Sequence, residues 1–340
     1  MNRSSLTGHR VLRRPGYALG SAVVVIAVAL CLNGCYRATH RQVVDHYVEA
    51  TVHHDRREYD AAVEELKLAI FLEADFGLAH SLLGDVYRET GQHEAAAASY
   101  EVACLLDPWS YHDHFYLGRV YQFLERFHQA IGALERATQL RTGEPRAFLY
   151  LGEAYLQTDQ TAKAHSALAR AAELAPDDSA IQAALGQTYA RQSKPYEAIR
   201  AYQRALEIDP QNVDVMIKLA NIYTSQKRFA PARLLLEKAL DAEPDRPEPH
   251  VALAYTALQQ NNPAEALQHY QTAIARDPDH IKAHNGVGAA AVMLYLADPS
   301  NRDLAQTGLD AWHRSLEIDP QQADIRALIA KYSRIVEPVP

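Results

Sequence analysis

Sixteen histidines and forty-two carboxylates give this 340-residue chain ample material for metal or acid–base chemistry. Their spacing does not gather it. His280 and His284 stand four apart with Asp279 alongside, and His112-Asp113-His114 is a tight triplet. No third ligand is evident beside either, and a zinc site needs three or more. Five histidines, His46, His80, His114, His250 and His284, recur at one place of a 34-residue period. Residues so spaced lie a whole helix pair apart and do not converge on an ion; they read as packing residues, like Phe148 and Met216 at the same place. The cysteines Cys31, Cys35 and Cys104 form neither a disulfide framework nor a zinc spacing, and Cys104 reads as a small buried thiol on an apolar helix face. No phosphate loop, Gly-x-Ser-x-Gly elbow or His-Glu-x-x-His stretch occurs, and the carboxylates are scattered as on solvated helix faces. The sequence therefore predicts no catalytic residue, metal, cofactor or small-molecule substrate.

The elements that must position any functional residue follow the same period. Alanines stand at 62, 96, 130, 164, 198, 232 and 266, and a second row stands seven residues later, from Ala69 to Ala273. Leu83-Gly84, Leu117-Gly118, Leu151-Gly152 and Leu185-Gly186 keep the interval, as do Tyr87, Tyr121, Tyr155, Tyr189 and Tyr223. Each period shows helical patterning in two stretches, interrupted near its middle by residues such as Gly91, Asp159, Lys227 or Asn261-Asn262-Pro263. The small residues recur where two helices must approach closely. Pro195, Pro231 and Pro263 fall in the first turn of second helices, where a missing N–H is harmless.

Period and residue types resemble the tetratricopeptide repeat. The resemblance implies an all-α fold: a right-handed superhelical solenoid of about eight helix-turn-helix repeats, closed by a C-terminal capping helix. The repeats would run 43–76, 77–110, 111–144, 145–178, 179–212, 213–246, 247–280 and 281–322, followed by the capping helix and tail over 323–340. The last repeat carries extra residues around Ala297–Ala305. On the capping helix, Ile325, Leu328, Ile329, Tyr332 and Ile335 share one face, and a solenoid needs such a cover for its last core surface.

In this family the first helices line the concave surface. Carried over place by place, a partner-binding groove would take Arg88 from the second repeat and Phe115, Tyr116, Arg119, Gln122 and Phe123 from the third. From the fourth it would take Arg146, Tyr150, Glu153 and Gln157, with Leu149 and Leu156 between them. Aromatic rings beside arginine are the composition of binding hot spots. Asn221 and Lys282 superficially resemble the two-carboxylate clamp of some family members, but Ile217, Ala252 and Gly286 stand where its other partners belong.

The first 42 residues lie outside that pattern. Arg10, Arg13 and Arg14 precede an apolar run from about Tyr17 to Leu32, and Leu32-Asn33-Gly34-Cys35 follows. This resembles a bacterial lipoprotein signal over 1–34, with Cys35 acylated and 35–42 a short linker. An uncleaved membrane helix and simple secretion are the alternatives, although a span takes about 20 apolar residues and this run is shorter. Tyr36, where aspartate often marks inner-membrane retention, favours the periplasmic side of the outer membrane, with an inner-membrane anchor as the other location.

Hydrophobic residues make up 48% and charged residues 22%, as in a packed protein. The net charge is −8, and because residues 1–34 hold four arginines and no acid, the remainder stands at −12. That sign argues against nucleic acid as a partner. The expected function is a non-enzymatic, lipid-anchored adaptor that captures a protein partner of the cell envelope, in pilus, secretion, exopolysaccharide or cell-wall machinery. The alternative is a structural subunit that uses its convex face, its ends or the Ala297–Ala305 segment.

Overall fold

The computed structural model describes residues 40–336; the expected signal, Cys35 and the final tail lie outside them. All secondary structure among the described residues is helical, and the chain divides into two compact units that meet in sequence after Leu140. The N-terminal unit holds α1 (40–55), α2 (Tyr59–Leu72), α3 (Gly77–Glu89), α4 (His93–Leu106), α5 (Tyr111–Phe123) and α6 (Phe127–Leu140). The C-terminal unit holds α7 (Pro145–Gln157), α8 (Thr161–Leu174), α9 (Ser179–Arg191), α10 (Pro195–Ile208), α11 (Val213–Ser225) and α12 (Phe229–Ala242). It continues with α13 (Pro247–Gln259), α14 (Pro263–Arg276), α15 (Ile281–Ala297), α16 (Arg302–Ile318) and α17 (Ala323–Val336). No helix of the described residues is long and apolar enough to cross a membrane.

The first seven helix pairs are built by the same local rules. The first helix ends in a residue of positive φ, at Arg57, Gly91, Glu125, Asp159, Ser193, Lys227 and Asn261 in turn. The amide after it returns to a carbonyl five residues back, as Arg126 N–H does to Tyr121 and Arg228 N–H to Tyr223, both at 2.8 Å. This closes the spare carbonyls of the helix end. Ser110, Asp178, Asn212 and Asn262 cap the starts of α5, α9, α11 and α14 with their side chains.

The pairs close over the small residues. Both alanine rows are fully buried throughout. A Cβ on Gly118 would lie 2.5 Å from Leu134 Cγ, and one on Gly152 equally close to Leu168 Cγ. At Gly84 and Gly186 the opposing side chains are Tyr100 and Tyr202. In the C-terminal unit the first helices also touch one another in series, α7 to α9 to α11 to α13 to α15, so they share one face.

Three sequence expectations change in detail. The histidines at the fourth place do more than pack: His80, His114 and His284 each donate to the carbonyl six residues earlier, on Ala74, Pro108 and Pro278. Gln182, at the same place, does likewise to Pro176 at 3.0 Å. These bonds close the connection between successive pairs. The extra residues of the last repeat form no protruding loop either. They lengthen α15 and α16 to 17 residues each, against 13 or 14 in α2 to α14, and Ala305 is buried. Cys104 is half-buried, and desolvation, with Asp113, Asp107 and Glu101 nearby, pushes its thiol up to about 12.

At the far end α17 lays Ile325, Leu328, Ile329 and Tyr332 over Val292, Leu309 and Trp312, with the Trp312 and Tyr332 rings 5.9 Å apart. The expected cap is present.

Candidate functional site

In the N-terminal unit the first-helix face centres on a polar and aromatic cluster between α3 and α5. The Tyr100 hydroxyl, reaching through from α4, donates to Asp85 at 2.6 Å. Asp85 also lies 3.3 Å from His112 Nε2 and 3.5 Å from the Arg88 guanidinium. The other His112 nitrogen, Nδ1, is 3.2 Å from buried Asp113, which also accepts from Ser81 at 2.5 Å. Bonding to Asp113, then to Asp85, outweighs desolvation and raises His112 to about 9. Asp113 is held below the ordinary carboxylate range: burial opposes its charge, but His112, Ser81 and Ser110 overcome that. Burial, reinforced by Asp85, drives the Tyr100 hydroxyl far above its usual range, so it remains a neutral donor. Arg88 lies over the Tyr116 ring at 4.5 Å, and Tyr116 stacks on Tyr100. The arrangement fixes a cation, an imidazolium and an aromatic plane side by side, a surface fitted to recognition.

The ten sequence-predicted groove residues divide between the units. Arg88 lies on α3; Phe115, Tyr116, Arg119, Gln122 and Phe123 lie on α5; Arg146, Tyr150, Glu153 and Gln157 lie on α7. Arg88, Tyr116 and Gln122 are half-buried, Arg119 is exposed, and Phe123, at the end of α5, is 68% exposed against His93. Arg146 and Gln157 are exposed, with Tyr150 and Glu153 half-buried between them. Phe115 departs from expectation. It is buried, stacked on Tyr111 at 5.5 Å and edge-on to Tyr116, so its ring supports the surface from beneath. Leu149 and Leu156 are buried in the same way.

A second surface, in the C-terminal unit, went unnoticed in the sequence. A groove of about 740 Å³ runs along α11, α13 and the start of α15. Its apolar lining includes Ile217, Val251, Tyr255 and Ile281, and Glu248, Asp277 and Asp279 stand around it with Asn221 and Lys282. Tyr255 is 41% exposed. The signal was available: Tyr255 occupies the place in its repeat that Arg119 holds in the third. Asn221 and Lys282 do share this groove, but a side chain at 286 would have to displace the Tyr270 ring. A Cβ on Gly286 would fall 2.2 Å from the Tyr270 ring.

The histidine patterns resolve as structural ties. His280 Nδ1 accepts the Ala283 amide and His284 donates to Pro278. One grouping escaped the spacing argument: His46, Glu49 and Glu65 bring one ligand atom each within 4.8 Å of one another. His46 Nδ1 already bonds Glu65 at 2.6 Å there.

Helix pairs at a 34-residue interval, closed over Gly and Ala and presenting their first helices on one face, define a helical-repeat scaffold. Family profiles described as tetratricopeptide repeat match residues 47–111, 124–188, 189–254 and 225–290. The chain belongs to the tetratricopeptide repeat family, whose fold is typically a non-enzymatic protein-interaction scaffold. No curated protein matches it. Among solved structures it is similar to a tetratricopeptide repeat protein from Parabacteroides merdae (TM-score 0.59, 15% identity, 74% of this chain and 99% of that one). It is also similar to PilW, described as a widely conserved type IV pilus biogenesis factor (0.57, 18%, 64% and 98%). A third likeness is to the Cut9–Hcn1 hetero-tetramer of the APC/C (0.57, 19%, 71% and 48%). At these identities the likeness is one of fold.

Proposed function

We propose that the chain is a lipid-anchored scaffold on the periplasmic side of the outer membrane, which captures a peptide or helix of an envelope partner on its first-helix faces. The observation that carries the binding half is the groove of α11, α13 and α15. It combines an apolar floor, the partly exposed Tyr255 ring and three carboxylates against one lysine. Such a surface suits an apolar segment carrying a basic residue, since aromatic anchors supply the contact area and opposite charge sets register. The anchoring half is supported by the signal-like residues 1–34 and Cys35. PilW, described as a type IV pilus biogenesis factor, has a similar fold.

The test is a chemical-crosslinking pull-down in cells with the full-length protein, beside the variants Tyr255→Ala/Glu248→Lys and Tyr116→Ala/Arg119→Ala. Loss of the captured partner in the first double variant, with helicity unchanged, supports the groove. Loss only in the second moves binding to the Arg88–Tyr116 surface, and retention in both removes the first-helix faces as the site. The mass of the mature N-terminus decides the anchor: an acylated Cys35 is expected, and an unmodified or uncleaved N-terminus overturns it.

A further inference from the structure

The penultimate residue of each second helix is exposed in every repeat, and its identity changes along the chain. It is Phe71 in α2 and Leu105 in α4, then Gln139, Glu173, Glu207, Asp241, Ala275 and Glu317. Only the first two repeats place a large apolar side chain there, 85% and 79% exposed respectively. At a second place only the second repeat is apolar, the first carrying Asp75 and others Gly143 and Gln211. Trp109, in the loop after α4, is 75% exposed, where later repeats carry Asp177, Asp245 and Asp279. Leu78 at the start of α3 and Leu106 at the end of α4 are exposed as well, and both border one cleft. Large apolar side chains grouped on one exposed edge mark an interaction surface.

The beginning of α1 identifies what covers it. His40 bonds Glu73 at 2.7 Å and lies edge-on to Phe76, so α1 starts at the connection that follows Phe71. Cys35 is five residues earlier, and five residues reach at most about 18 Å. If Cys35 carries acyl chains, the start of α1, beside the connection that follows Phe71, is held within that distance of the bilayer. Tryptophan, with an apolar body and a polar tip, is enriched where one side is lipid and the other water. Resting on the anchor reading given above, we propose that the Phe71–Leu105–Trp109 edge of the N-terminal unit seats in the interface of the phospholipid bilayer. The acyl chains then hold the protein on the membrane, and the edge fixes how the N-terminal unit lies against it. Asp75 and Asp107 are exposed on the same loops and Arg136 lies over the Trp109 ring at 4.7 Å, so the edge carries both signs of charge and suits a zwitterionic surface.

The two tryptophans make the test direct, because Trp312 is buried in the C-terminal unit and Trp109 is not. The full-length protein purified from membranes is mixed with zwitterionic vesicles containing phospholipids brominated on their acyl chains. The expected result is loss of the Trp109 share of the emission, with no quenching in Trp109→Phe. Phe71→Ser/Leu105→Ser, which changes only exposed residues, is expected to keep its helicity and its attachment while losing the quenching. Unquenched Trp109 in wild-type protein that co-sediments with the vesicles overturns the proposal. So does concentration-dependent self-association that shields Trp109 without lipid, which would assign the edge to a second copy. The N-terminal mass is read on the same sample. An unacylated chain that is still quenched defeats the anchor and leaves the edge standing; an acylated chain that is not quenched does the reverse.

Discussion

Lys227 and Glu125 hold backbone φ near +60°, a conformation that costs an L-residue about 1 kcal/mol relative to glycine. The repeat architecture imposes it, because the amide that follows must turn back to the helix end. Replacing Lys227 with glycine should therefore stabilise the C-terminal unit by up to about 1 kcal/mol, and Gly91→Ala should cost the N-terminal unit a similar amount. Urea denaturation measures both; an unchanged midpoint in each would show that the turn carries no strain. At this scale His112 also makes stability depend on pH. In the folded chain its proton is held up to about 9, whereas the unfolded chain releases it near 6.5. Its contribution is complete below pH 6.5 and disappears as pH rises through 9. Because 44% of the side chain is exposed, the loss should be about 1 kcal/mol. His112→Gln should flatten the urea midpoint of the N-terminal unit across that interval. The positive-φ position was legible in the sequence where glycine, asparagine or aspartate marked it, at Gly91, Asp159 and Asn261, and silent at Arg57 and Glu125. His112 was visible as a residue but not as an imidazolium, since its partners Asp85 and Asp113 come together only when α3 and α5 pack.

Among elements, the decisive contacts are those in which a helix crosses another over hydrogen alone. Gly118→Ala forces a methyl against the branched Leu134 side chain and should cost about 1–3 kcal/mol, with Ala130 and Ala137 equally intolerant of bulk. Thermal denaturation reads the loss; if Gly118→Ala/Leu134→Ala recovers none of it, the contact is not its source. The cap α17 answers to a different probe. Removing residues 323–340 uncovers Trp312, Val292 and Leu309, so Trp312 emission should shift to the red and the last helix pair should become protease-sensitive. The rows of Ala and Gly exposed this level plainly, because close approach leaves no alternative residue. The extension of α15 and α16 was not plain: seven additional helical residues look like an insertion until Gly288 and Gly308 show how closely the longer helices pack. The groove was missed for another reason. Its floor is made of ordinary Val, Ile and Tyr, and nothing in their types distinguishes a face left open from one that is covered.

For the molecule as a whole, the ties between helices are short in sequence. That from His40 to Glu73 spans 33 residues and that from Asn285 to Gln322 spans 37, and substantial helix contacts join elements adjacent in the chain or one removed. Closing so short a loop loses little chain entropy, and native structure can spread outward from any pair that forms. Folding therefore need not wait for the whole chain. A repeat that has left a ribosome or a membrane pore can complete its own core while the residues behind it are still threading through, and rapid sealing of each apolar face leaves little time for it to meet the wrong neighbour.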